Sequence, residues 1–87
     1  MDIKDVVIIT PYFDFGRLVC DCLSTRNSWM VNFLPTVSAV AKNIDTYTSL
    51  DFALIDLDLG MERVRECTFI IREKYPYITL IDRKSVV

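Results

Sequence analysis

The apolar and polar positions divide the chain into alternating strand-like and helix-like segments. Four short runs rich in branched or aromatic residues are typical of strands buried on both faces of a sheet, and they span residues 6–9, 29–34, 52–59 and 78–81. Between them, three segments place apolar residues three and four positions apart, which is the spacing of a helix. The order β-α-β-α-β-α-β predicts a parallel sheet with right-handed crossovers and helices on both faces.

Several residues mark where these elements begin and end. Proline follows the first strand at Pro11, the second at Pro35 and the third helix at Pro76. Asp14 and Thr36 have the side chains of helix N-caps. The third strand alternates aspartate with leucine before Gly60, so residues two apart there are expected to share one face of the strand.

The charge and hydropathy of the chain exclude two classes of partner. The net charge is −2, and lysine and arginine are scattered along the sequence, which gives no basic surface for nucleic acid. No apolar run approaches the roughly 18 residues of a membrane-spanning helix. The opening residues MDIKD lack the pattern of a signal peptide, so we expect a cytoplasmic protein that binds neither nucleic acid nor membrane.

The absence of histidine and the low cysteine count narrow the chemistry. With no histidine, the chain has no Ser-His-Asp triad, no Cys-His pair and no histidine-containing zinc site. An odd count of three cysteines favours reduced thiols, and we expect Cys20, Cys22 and Cys67 to be packed in the interior.

The segment DFALIDLDLG at residues 51–60, together with the order of the elements, resembles the receiver domain of two-component response regulators. The first strand VVIIT and the later segment REKYPYITLI are similar to corresponding parts of that family. The resemblance implies an α/β, flavodoxin-like open parallel sheet of strand order 2-1-3-4. Residues 1–87 would form a single receiver-like domain, truncated after the fourth strand. On this alignment Asp56 falls at the phosphoacceptor position.

The chain departs from the family at the residues that support phosphorylation. Receivers carry acidic residues after the first strand to hold Mg²⁺, whereas this chain has Thr10 and Pro11 there. The hydroxyl residue that the family has after the fourth strand is not clearly placed here. The family's phosphate-contacting lysine follows a fifth strand, so Lys84 is not its equivalent. The resemblance therefore implies a lost metal site, with no metal and no cofactor expected.

These departures favour a regulatory domain that is not an enzyme. We expect a pseudo-receiver that acts through protein–protein contacts without phosphorylation. The alternative is a functional receiver that accepts a phosphoryl group on Asp56 from a histidine kinase, with Mg²⁺ as cofactor. A structural explanation also exists, in which Asp56 and Asp58 merely end a strand near solvent and bond the next loop. A small enzyme or nucleotide-binding half-domain ranks last, because TPYFDFG contains a single glycine, Gly16.

Two groups of residues are candidates for contact with a partner. Tyr12 and Phe13 follow the first strand, where Thr10 and Asp58 are also expected, and an apolar pair at this edge suits a protein contact. Leu80 and Ile81 lie in the fourth strand, which would be an edge with unpaired backbone groups. We therefore expect a homodimer, or a protein partner that covers the fourth-strand edge.

Overall fold

The predicted α/β architecture is confirmed. A computed structural model describes residues 4–84 of the chain. Its four strands form one parallel sheet of order β2-β1-β3-β4, the flavodoxin-like arrangement. The strands are β1 (Asp5–Ile9), β2 (Met30–Leu34), β3 (Phe52–Asp56) and β4 (Thr79–Arg83), and the helices are α1 (Phe13–Asn27), α2 (Val37–Asn43) and α3 (Met61–Lys74). No helix in this described part of the chain is both long and apolar enough to cross a membrane.

β1 lies at the centre of the sheet because it is apolar on both faces. Residues 6–9 have no exposed surface, and β1 is flanked by β2 and β3. The register sets Ile8 beside Phe33 on one side and Leu54 on the other. Neighbouring side chains along the strand point to opposite faces, so β1 contributes to the packing of both layers.

The two faces of the sheet are covered unequally. α2 and α3 pack together on one face, over a core that includes Val7, Ile9, Val40, Ala53, Ile55, Val64, Cys67 and Ile71. Among the described helices, α1 alone covers the other face, where it packs mainly over β2 and β1. Ile81 of β4 remains 38% exposed as a result. Within the described residues, the part of this face over β4 is therefore less covered by helix than the part over β2 and β1.

The ends of several elements differ from those predicted. α1 begins at Phe13, so Asp14 lies in its first turn instead of capping it, where its charge complements the positive end of the helix dipole. Thr36 does cap α2, because its Oγ1 accepts a hydrogen bond of 3.0 Å from the backbone N–H of Ala39. β3 ends at Asp56, and β4 extends beyond Ile81 to Arg83.

The cysteines do not all occupy the core. Cys67 lies on the buried side of α3, and its burial raises the pKa of its thiol to about 11. Cys20 is half-buried and Cys22 is exposed, so the expectation of three interior cysteines is wrong for Cys22. All three are free thiols.

Gly16 allows α1 to approach β2 closely. The glycine is buried, and a Cβ atom at this position would overlap the ring of Phe33. The same ring makes an edge-to-face contact with Phe13, with 5.4 Å between the ring centroids. The ring of Phe33 thus occupies the space that a side chain at position 16 would need.

Gly16→Ala is expected to lower the free energy of unfolding by about 1–3 kcal/mol through overpacking. Alanine is the better helix former by about 1 kcal/mol, so a stabilised variant would contradict this packing. Urea unfolding measures the difference. The double variant Gly16→Ala/Phe33→Leu should recover part of the loss, because leucine vacates the space next to the new methyl group.

Candidate functional site

The parallel register brings Thr10 and Asp56 together at the carboxyl edge of the sheet. Ile9 of β1 pairs with Ile55 of β3, so the residues that follow them are also neighbours. The Thr10 hydroxyl donates a hydrogen bond of 2.7 Å to Oδ2 of Asp56. Thr10 has no exposed surface and Asp56 has 1%, so this bond is buried between the two central strands.

The second oxygen of Asp56 binds the turn that follows β3. Its Oδ1 accepts a hydrogen bond of 2.9 Å from the backbone N–H of Asp58, at the start of a 3₁₀ turn over Leu57–Leu59. Buried carboxylates are stable only when hydrogen-bonded, and both oxygens of Asp56 meet this requirement within the chain.

Two expectations about this carboxylate pair are therefore wrong. Asp56 is buried and does not lie near solvent. Asp58 belongs to the turn, so the two carboxylates do not share one face of a strand. The hydrogen bond from Asp58 N–H to Asp56 does agree with the expected bond to the next loop.

Asp58 connects this pair to Tyr12 and Lys84. The Tyr12 hydroxyl donates a hydrogen bond of 2.9 Å to Oδ2 of Asp58, and the Tyr12 N–H lies 3.3 Å from the Thr10 hydroxyl oxygen, which accepts from it. Lys84 Nζ lies 3.8 Å from Oδ1 of Asp58, but its side chain is 74% exposed, so this ion pair contributes little stability. Thr10, Tyr12, Asp56, Asp58 and Lys84 form what we call the carboxyl-edge cluster.

The pKa of the Tyr12 phenol is raised above its ordinary value. The main cause is its hydrogen bond to Asp58, and desolvation and the negative charges of Asp58 and Asp56 act in the same direction. Through its hydroxyl group, Tyr12 is therefore a hydrogen-bond donor in this cluster.

The remaining predicted residues lie outside the carboxyl-edge cluster. Phe13 is 62% exposed and contacts Phe33 of β2. Leu80 and Ile81 are consecutive in β4 and point to opposite faces, since Leu80 packs on the core beneath α2 and α3 while Ile81 is partly exposed. The structure thus separates these two β4 residues instead of combining them in one surface.

Sequence reasoning did not place the two basic residues Arg83 and Lys84 near Asp56. Arg83 is the register partner of Asp56, and Lys84 follows it. Both line a cavity of about 330 Å³ together with Asp56, Phe15, Val19, Leu23 and Leu54. The sequence does contain a signal for this proximity. Arg83 and Lys84 follow the last apolar run, and the carboxyl ends of parallel strands meet at one edge of the sheet, where Asp56 also lies. The predicted fourth strand ends at Ile81, so Arg83 and Lys84 were expected in the tail after the strand.

The side chains around Asp56 do not fit a magnesium site. Mg²⁺ is normally held by carboxylates in an octahedral shell. Thr10 and Pro11 supply no carboxylate, and Thr10 uses its hydroxyl proton to bind Asp56. Across residues 4–84, no cluster of three or more cysteine, aspartate or glutamate side chains is placed to hold a metal ion.

Thr10→Val is expected to lower the free energy of unfolding by about 1–3 kcal/mol, because the buried carboxylate of Asp56 loses a hydrogen-bond donor. Thr10→Ser keeps the hydroxyl and removes one methyl group, for a cost of about 1 kcal/mol or less. Urea unfolding compares the two variants. Equal destabilisation by serine and valine would show that the hydroxyl contributes nothing.

Asp58→Asn is expected to lower the pKa of Tyr12 toward its ordinary value, because it removes the charge and weakens the hydrogen bond that raise it. The raised pKa stabilises the fold below the ordinary tyrosine pKa, and this contribution is lost as the pH rises through the raised value. An NMR titration of ¹³C-labelled tyrosine, with Tyr12→Phe to assign the signal, measures the change. An unaltered Tyr12 pKa in Asp58→Asn would rule out this contact.

Comparison with known proteins identifies no relative of this chain. No protein-family model matches it, and neither does a curated protein or a solved structure. The fold and the carboxyl-edge cluster are therefore interpreted from their own geometry.

Proposed function

We propose that this chain is a receiver-like regulatory domain that acts by contact with another protein, without phosphoryl transfer to Asp56. It is not an enzyme in this proposal and needs no cofactor. The observation that carries the proposal is the buried hydrogen bond of 2.7 Å from Thr10 to Asp56. This bond engages the carboxylate that would otherwise react.

Phosphoryl transfer to an aspartate has two requirements that this site opposes. A carboxylate oxygen must reach the phosphorus atom, and cations must neutralise the charge on the transferring group. Here one oxygen of Asp56 accepts from Thr10, the other accepts from Asp58 N–H, and the side chain is 1% exposed. The position where receivers hold Mg²⁺ offers a hydroxyl group and a proline.

Exposed apolar residues support a function in protein contact for this domain. Phe13 is 62% exposed beside the carboxyl-edge cluster, and Ile81 is 38% exposed on β4. The outer edge of β4 pairs with no other strand in the described sheet. We propose that a protein partner, or a second copy in a homodimer, covers some of these exposed groups. The net charge of −2 makes nucleic acid an unsuitable partner.

The proposed location of this domain is the cytoplasm. Its three free thiols suit a reducing compartment. No interaction with a membrane is part of the proposal.

The alternative is a functional receiver in which Asp56 accepts a phosphoryl group from a histidine kinase with Mg²⁺. One observation favours it, namely that Asp56 lines the same cavity as Arg83 and Lys84. Basic side chains can neutralise a phosphoryl group in place of part of the metal's charge. This alternative requires one of the two hydrogen-bonded oxygens of Asp56 to accept the phosphoryl group, so it is the second candidate.

Incubation with acetyl phosphate and MgCl₂ is expected to leave the intact mass of the protein unchanged, because the Asp56 oxygens are engaged and, within the described residues, no group of three metal-binding side chains adjoins them. Asp56→Asn and Asp58→Asn are the matched controls. A phosphoryl adduct that persists in Asp58→Asn and disappears in Asp56→Asn would replace the proposal with its alternative.

A further inference from the structure

α1 carries more apolar surface than its contact with the sheet uses. Phe15, Val19 and Leu23 follow one another at a spacing of four residues, and all three are only half-buried. At about 100° per residue, Leu18 and Cys22 lie beside Phe15, on the flank away from Gly16. Both are exposed, and Leu18 is 62% exposed. The apolar arc of α1 therefore continues past the sheet, toward the side of β3 and β4.

Within the described residues, the sheet face next to this flank is also apolar, and no described helix lies over β4 there. Leu54 and Ile81 are register partners, so they lie side by side on β3 and β4. Leu54 lines the cavity of about 330 Å³ together with Phe15, Val19 and Leu23. We call this cavity, together with Ile81, the register partner of Leu54, and Leu18 on the adjacent flank of α1, the open groove. The opposite face of the sheet has two helices over the corresponding width, and this face has one among the described elements.

Basic charge marks one end of the open groove. Arg83 and Lys84 line it at the carboxyl end of β4, and both are exposed. The acidic residue in the lining, Asp56, is buried and hydrogen-bonded within the chain. Lys84 also lies 3.8 Å from Asp58, but with 74% of its side chain exposed it can still meet another anion.

We propose that the open groove binds an amphipathic helix of a partner protein, with acidic side chains at the end that meets Arg83 and Lys84. This inference rests on the proposed function as a protein-contact domain, and it identifies the surface and the chemistry of the partner. A helix between α1 and the outer strands would cover Leu18, Leu54 and Ile81 with one apolar stripe. A strand added to the edge of β4 would form backbone hydrogen bonds there and leave Leu18 exposed.

The net charge of the whole protein does not by itself predict a preference for an acidic peptide. The chain has a net charge of −2, so non-specific attraction would favour a basic peptide. A preference for an acidic helix must then come from the local pair Arg83 and Lys84.

The test uses two synthetic peptides of about 16 residues, a length that gives four helical turns. Both carry leucine at helical spacing on one face, and they differ only in having glutamate or lysine at one end. A hydrocarbon staple on the outer face keeps both helical. Fluorescence anisotropy gives the two affinities, and methyl NMR of the labelled protein locates the bound peptide.

The acidic peptide is expected to bind at least about tenfold more tightly than the basic one. Its binding should shift the methyl signals of Leu18, Leu54 and Ile81. Leu18→Glu and the pair Arg83→Glu/Lys84→Glu should each weaken it about tenfold or more. Phe69→Glu is the matched control and should bind as the natural chain does, because Phe69 is 66% exposed on α3, over the other face.

Four results would overturn the inference. They are equal or tighter binding of the basic peptide, no binding of either peptide at about 1 mM, peptide contacts confined to the backbone of β4, and concentration-dependent shifts of the groove methyls without peptide. The last would assign the groove to a second copy of the chain. None of them changes the acetyl phosphate result, so failure of this inference and failure of the proposed function are distinguishable.

Discussion

The hydrogen bond between Thr10 and Asp56 joins the two central strands at the edge of the sheet where ligands of this fold class bind. Both groups are almost completely buried, so the bond satisfies a carboxylate that would otherwise be costly to place there. The other Asp56 oxygen then orders the turn that leads into α3. Asp56 thus connects the end of β1, through Thr10, with the turn that follows β3.

The same bond connects the fold with the proposed loss of phosphoryl chemistry. A receiver places anionic ligands beside its aspartate so that a cation can bind there. Thr10 instead donates a hydrogen bond to Asp56 and so engages one of its two carboxylate oxygens. The hydrogen bonds at this edge continue from Asp56 to the backbone of Asp58, and the Asp58 carboxylate accepts a further bond from the Tyr12 hydroxyl. In the proposed function, a partner binds instead at the apolar face of the sheet that the described helices cover less completely.

Much of the fold was predictable because local patterns and tertiary packing agree. The unbroken apolar run of β1 indicated a central strand, and residues 6–9 are fully buried. Thr36 was predictable as a cap because its role depends on a residue three positions away. The site was less predictable, because its bonds join residues 46 positions apart in the chain. The alternation of aspartate and leucine imitates a strand, while the bond from Asp58 N–H to Asp56 turns the chain.

Other errors have similar physical origins. Pairing with β3 extends β4 to Arg83, and a local apolar run cannot show this extension. Leu80 and Ile81 read as one apolar pair in the sequence, but strand geometry sends them to opposite faces. Cys22 is exposed because the apolar arc of α1 is wider than its contact with the sheet.

The central claim is that Thr10 keeps Asp56 bonded and that no cation binds beside it. A crystal structure grown with MgCl₂ and beryllofluoride, a mimic of the phosphoryl group, tests this most directly. The account predicts an intact Thr10–Asp56 hydrogen bond with neither Mg²⁺ nor beryllofluoride next to the carboxylate. Beryllofluoride bound to Asp56 with Mg²⁺ beside it, and Thr10 turned away, would contradict the account.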